Sequence, residues 1–229
     1  MAIRFRELLW ELIQAARRRA PKGVEPKPDS VATPQGPIQR VLLTDTVSRT
    51  LFGEYAAHRK SPRGTEEIGW DLIGVRQGDA AVVLATLPAG EGRDSSSAHV
   101  MFNRAPQGVA SRILRQESRK LTILGVAHTH PGSLRHPSSN DYRGDVDWVA
   151  NLRGAEGVFG IGTADAAPNP DAGIGWQPAP NMQCLGELCL SWYALGAKDR
   201  NYRPLPVELT IGPDLALPLR PVWDELEAH

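Results

Sequence analysis

The stretch LTILGVAHTHPGSLRHPSSND, residues 121–141, decides how this chain is read. Its first part, Leu121 to His128, is a mostly apolar run, as expected of a strand buried on both faces. His128 and His130 then stand two apart at the strand end and project to the same face. Two imidazoles so placed can share one metal ion. Pro131 and Gly132 break the strand, and the loop returns to a helix start where Asp141 can supply an oxygen. Two histidine nitrogens and one carboxylate suit zinc, and three protein ligands leave a fourth position for water, whose pKa zinc lowers to about 7. Each fragment alone has a plainer explanation. A His-x-His pair is often two surface side chains, and Ser138-x-x-Asp141 reads equally as a helix N-cap with an acidic residue at its third position. Only the joint pattern is specific.

Outward from this stretch, strand and helix patterns alternate. Upstream, Val41–Leu43 reads as a short strand, followed by a helix through about Lys60 with N-caps among Thr44, Asp45 and Thr46, and with Val47, Leu51 and Tyr55 on one face. Trp70–Val75 and Ala80–Leu87 read as two strands joined by the turn Gln77-Gly78-Asp79. Residues 88–98 form a Gly/Ser/Asp-rich loop, His99–Phe102 a short strand, and Val109, Ile113 and Leu114 mark a helix ending near Lys120. Downstream, Asp141 to Leu152 has helical character, Val158–Ile161 reads as a strand, residues 164–181 as a long loop, and Leu188–Tyr193 and Val207–Ile211 as closing strands. The sum is an α/β domain with a mixed β-sheet and helices packed on it.

Residues 3–19 have the spacing of an amphipathic helix, with Phe5, Leu8, Leu9, Leu12, Ile13 and Ala16 on one stripe. From Met1 to Lys22 there are six basic and two acidic side chains. Such a helix packs on its own domain or a sister subunit, or tethers the chain to a partner or an anionic membrane surface. Five prolines between Pro21 and Pro37 make the next segment a semi-rigid linker. The expected organisation is therefore an N-terminal helix (1–20), a Pro-rich linker (21–37), a catalytic domain (38–195) and a C-terminal extension (196–229).

The charges balance, 26 basic against 26 acidic. This lacks the basic excess of a nucleic-acid binder, so none is expected as a partner. No stretch approaches the roughly 20 apolar residues that span a bilayer, and Arg17–Arg18–Arg19 stand where a secretory peptide would have its small-residue cleavage site. Cys184 and Cys189 are too few for a disulfide framework and read as a strand-borne thiol pair. A cytoplasmic location is the default expectation.

His128-Thr-His130-Pro131, six residues, Ser138, two residues and Asp141 together resemble the signature of the JAMM (MPN-plus, JAB-domain) zinc metalloproteases, whose fold is cytidine-deaminase-like. A second family segment, Glu-x-Gly-Gly-x-Leu-x-Gly, is matched by Glu67-Ile68-Gly69-Trp70-Asp71-Leu72-Ile73-Gly74, except that Trp70 replaces the second glycine. Glu66 is adjacent, but Gly69, Leu72 and Gly74 keep register only with Glu67. The resemblance covers roughly residues 38–163. It implies that His128, His130 and Asp141 ligate Zn2+, that Glu67 is the general base acting on the zinc-bound water, and that Ser138 donates a hydrogen bond to the oxyanion. It implies an isopeptidase, deubiquitinase-like, cutting after the C-terminal glycine of a ubiquitin-like protein, in a bacterial setting beside activating and conjugating enzymes, some of them in phage defence. The alternatives are a hydrolase of small peptides or of amino-acid or sulfur-carrier conjugates, and a non-catalytic MPN scaffold. A DNA-repair-associated branch of the fold fits the neutral charge poorly.

Other residues have plainer readings. Trp70 would either narrow the cleft or point into the core, and the core suits a tryptophan better. His136 reads as a solvated loop histidine, and Asp145 and Asp147 as extra charges on a solvated helix face. The loops 88–98 and 164–181 flank the expected cleft and are placed to grip a protein substrate.

Overall fold

The structure, a computed structural model, describes residues 36–90, 93–102, 104–117, 120–167, 169, 173 and 176–220. The N-terminal helix expected over 3–19 and nearly all of the linker lie outside these residues. Described strands and helices run in the order β1 (Arg40–Thr44), α1 (Asp45–Arg59), β2 (Gly69–Gln77), β3 (Ala80–Pro88), β4 (Asp94–Ser95), β5 (Val100–Met101), α2 (Arg104–Glu117), β6 (Thr122–Thr129), α3 (Ser139–Val149), β7 (Glu156–Thr163), β8 (Met182–Leu185), β9 (Leu188–Gly196), β10 (Arg203–Pro204) and β11 (Val207–Thr210).

One mixed sheet organises them, in the order β10-β9-β7-β6-β2-β3-β1-β11, with β8 pairing β9. The parallel pairs are β6 with β7, β1 with β3 and β1 with β11; the others are antiparallel. Thr44 caps α1, its hydroxyl accepting from the Val47 amide. The stripe Val47, Leu51 and Tyr55 is buried in a core with Trp70, Leu72, Leu190 and Trp192 on one face of the sheet. On the other face, Ala110 and Leu114 of α2 meet Ile73, Ala85 and Leu87, and Val149 of α3 meets Phe159 and Leu195. A sheet covered on both faces explains why its inner strands are near-continuously apolar.

Strand β2 carries an irregularity. Its register shifts against β3 between Ile73 and Gly74, and against β6 between Leu72 and Ile73. A β-carbon added at Gly74 would come within 1.9 Å of the Val82 carbonyl oxygen, so glycine is the residue that fits this bulge. Gly125 of β6 faces a similar constraint, 1.7 Å from the Val158 carbonyl oxygen.

The stretch from residue 196 is built into the same sheet. Leu205 is fully buried, β11 extends the β1 edge, and Asp214 accepts from the Thr86 amide and hydroxyl. Two differences from the sequence reading stand out. The loop 88–98 contains β4, which pairs with β5 inside the segment read as His99–Phe102. Cys184 and Cys189 are not a thiol pair but a disulfide. The reason is β8, which falls between the expected loop 164–181 and the expected strand from Leu188. With β8 hairpinned onto β9 around Gly186, whose φ is +60°, C-x4-C spacing sets the two cysteines directly opposite each other.

Candidate metal centre

The centre is built where β6 leaves the sheet. The Thr129 amide donates to the Ile68 carbonyl and the His130 amide to the Gly162 carbonyl, so β2 and β7 fix the backbone on both sides. The Thr129 hydroxyl accepts from the Ile68 amide at 3.1 Å. Thus pinned, the alternation of the strand sends both imidazoles to the face that carries α2 and α3. Both are buried, and their Nε2 atoms lie 3.1 Å apart.

The third donor comes from the first turn of α3. Ser138 caps this helix. Its hydroxyl accepts from the Asp141 amide and the Asp141 carboxylate accepts from the Ser138 amide, a complete capping box. The same carboxylate reaches the histidines, Oδ1 at 3.3 Å from His128 Nε2 and Oδ2 at 3.4 Å from His130 Nε2. Donor atoms of the three residues all lie within 4.8 Å of one another.

This set fits a metal in its chemistry as well as its spacing. His130 Nδ1 lies 2.7 Å from the Leu134 carbonyl, an acceptor, so Nδ1 carries a proton; a neutral His130 would offer a metal its Nε2 lone pair, whereas a protonated Nε2 donates to Asp141. Burial alone would push the Asp141 carboxyl up, but the hydrogen bonds from His128 and His130 hold it well below the usual carboxylate range. Burial likewise works to lower the His130 pKa, and its bonds to Asp141 and Leu134 raise it on balance. The donor loop is braced from outside: the Tyr193 hydroxyl donates to the Arg135 carbonyl at 2.7 Å, and the Arg135 guanidinium holds Asp165 at 3.0 Å.

Glu67 sits just before β2 and is 4 % exposed. Its amide donates to the Ser96 carbonyl. Its side chain lines one cleft of about 670 Å³ with His128 and Asp141. Burial pushes its carboxyl pKa up, with the two histidines pulling the other way. Glu66 instead turns to Arg63 and Ser95, whose hydrogen bonds bring it down to about 2. The structure thus places Glu67, not its neighbour, beside the donors. Trp70 points to the opposite face of β2. It is buried in the core and its indole N–H donates to Glu54, so it leaves the cleft clear. His136 is exposed on the loop, as read.

Asp145 is where the sequence reading fails. One helical turn beyond Asp141, it shares that residue's face and not a solvated one. It lines the cleft and accepts a hydrogen bond from the Tyr202 hydroxyl at 2.7 Å, and burial lifts its carboxyl to about 6. Sequence reasoning also missed Arg135, Tyr193 and Tyr202. Their partners lie up to 58 residues away, and no local spacing announces them.

Residues 48–172, more than half of the chain, match the family described as prokaryotic homologs of the JAB domain, Prok-JAB. The chain belongs to the Prok-JAB family. Solved structures similar to this Prok-JAB chain include that of a Desulfitobacterium hafniense protein, 18% identical over 76% of this chain and 94% of that one, with a TM-score of 0.49. Another is a JAB1/MPN domain protein from Archaeoglobus fulgidus, 15% identical over 76% of this chain and 100% of that one, with a TM-score of 0.33. No curated protein matches. Membership of Prok-JAB and the His128, His130 and Asp141 cluster together indicate a JAMM-type metallohydrolase.

Proposed function

We propose that this Prok-JAB protein is a zinc-dependent isopeptidase that cuts after the C-terminal glycine of a ubiquitin-like protein. One observation carries the hydrolytic part. Three donors converge as a metal requires, and two of them, His128 and Asp141, line one cleft with the buried Glu67. Zinc bound by His128, His130 and Asp141 would supply a Lewis acid that activates water and polarises the scissile carbonyl. Glu67, its pKa raised by burial, is poised to take a proton from the attacking water and hand it to the departing amine. Ser138 accepts from the Asp141 amide through its oxygen, which leaves the hydroxyl hydrogen to donate to the developing oxyanion. The loops at 88–98 and 164–181 would hold the body or tail of the ubiquitin-like partner. The resemblance to JAMM proteases supports that substrate class and, with it, a bacterial, cytoplasmic setting with activating and conjugating enzymes as associates.

The test begins with zinc. Purified wild type and Glu67→Ala should each carry one zinc per chain, and His128→Ala should carry none. Wild type alone should release a reporter fused after the terminal glycine of a ubiquitin-like protein. Wild type that takes up no zinc after reconstitution would overturn the hydrolase reading. Zinc uptake with peptide hydrolysis but no action on any such fusion would overturn the substrate class.

A further inference from the structure

The cleft beside the donor set holds a group that the reaction does not use. Asp71 follows Glu67 by four residues in β2, at a position the JAMM pattern leaves open. It pairs in register with Val126, two residues before His128 on the same face, so its side chain enters the cleft floor about 7 Å from the level of His128. It is 9 % exposed, and among the described residues it has no hydrogen-bond or ion-pair partner. Burial with nothing to offset it lifts its carboxyl to about 7. A carboxyl on a largely desolvated cleft floor, open only to the cleft and without a protein partner, costs a fold stability, and such costs concentrate where a ligand supplies the missing partner.

The surroundings indicate the partner's chemistry. Phe102, Ile123, Val126 and Trp148 give the cleft apolar walls. A β-carbon at Gly69 would meet Phe102 at 2.5 Å, so that glycine is what lets the ring lie across the floor between Glu67 and Asp71. The acidic groups lining the cleft are Glu67, Asp71, Asp141 and Asp145, and the described lining includes no lysine or arginine. Asp141 is committed to the donor set, Asp145 to Tyr202, and Glu67 faces the two histidines of that set. That leaves Asp71 to receive a cation on an aliphatic stem, the stem against the apolar walls and the head on the carboxylate.

We infer that the cleft is a subsite for a lysine or arginine side chain close to the scissile bond of the substrate, with Asp71 as the residue that selects it. The inference rests on the hydrolase reading only for what lies next to the subsite. The probes are N-acetylated, C-terminally amidated hexaglycine peptides carrying arginine, or its neutral isostere citrulline, at one position at a time. Binding is measured by titration calorimetry to wild type and Asp71→Asn, each with and without zinc. At one or two adjacent positions, arginine should bind wild type about tenfold more tightly than citrulline. In Asp71→Asn that preference should shrink to within about twofold, with zinc content unchanged. Equal binding of the two series to wild type at every position would overturn the inference. So would a preference that survives in Asp71→Asn. Failure of the hydrolase reading would show separately, as absent zinc or absent amide cleavage, and the binding comparison needs neither.

Discussion

At the scale of single residues, Asp71 makes the sharpest prediction about stability. Its folded pKa is raised to about 7, so the native state prefers the protonated acid. Its contribution is therefore fully present below the unfolded carboxylate value of about 4 and is lost as pH climbs through 7. A shift of about three units corresponds to at most ~4 kcal/mol, less any relaxation of the site. Asp71→Asn keeps the shape and cannot ionise. Urea unfolding should show it no more stable than wild type at pH 4 but more stable by about 1–4 kcal/mol at pH 8. Parallel profiles for the two proteins would contradict this. A variant that gains stability while losing preference for a basic peptide is the pattern of a residue kept for binding. The sequence showed His128, His130, Asp141 and Glu67 because their types and spacings form a pattern. It could not show that Asp71 is stranded or that Asp145 meets Tyr202, since burial and distant partners leave no mark on neighbouring letters.

At the scale of elements, the turn from β6 through the loop into α3 unites a helix cap with a metal ligand. Asp141 serves both, so Ser138→Ala should cost about 1 kcal/mol of stability in thermal or urea unfolding. It should also weaken zinc about tenfold in a chelator competition, because the Asp141 amide loses the hydroxyl that holds it and the first turn of α3, which carries the ligand, is less firmly placed. Ser138→Asn, which can also cap, should recover most of the stability. If Ser138→Ala left zinc affinity untouched, the cap and the ligand would be independent. Long elements with a clear period were legible: α1, with Thr44 one of three candidate caps, the β2–β3 hairpin, and the buried run of β6. The short ones were not. β8 is four residues long with Gln183 near its centre, and in the sequence it directly follows a stretch rich in proline and alanine. Missing β8 is what hid the disulfide, because only its hairpin with β9 brings Cys184 opposite Cys189.

At the scale of the whole molecule, the two ends of the described chain meet on one sheet edge. β1 lies between β3 and β11, Glu156 accepts from the Ile38 amide and from Arg203, and Arg220 bonds Glu54 and the Thr86 carbonyl. A chain ending at residue 200 would uncover the β1 edge and remove buried Leu205 and the Asp214 bonds to Thr86. It should lose its cooperative melting transition and its near-ultraviolet dichroism. A truncated protein that melts as sharply as the full chain would mean that the last strands are an ornament. The sequence gives no sign of this closure, because the pairing of β1 with β11 joins residues more than 160 positions apart. The bulge at Ile73 and Gly74 has a consequence for redesign. A strand free to slide by one residue would turn its inward side chains outward, but this one is latched where its glycine meets the Val82 carbonyl. Position 71 can therefore change its letter without changing its address. Selectivity becomes a dial separate from the catalytic machinery, and exchanging the aspartate for a neutral or basic residue should retune the clientele of this enzyme while its chemistry stays in place.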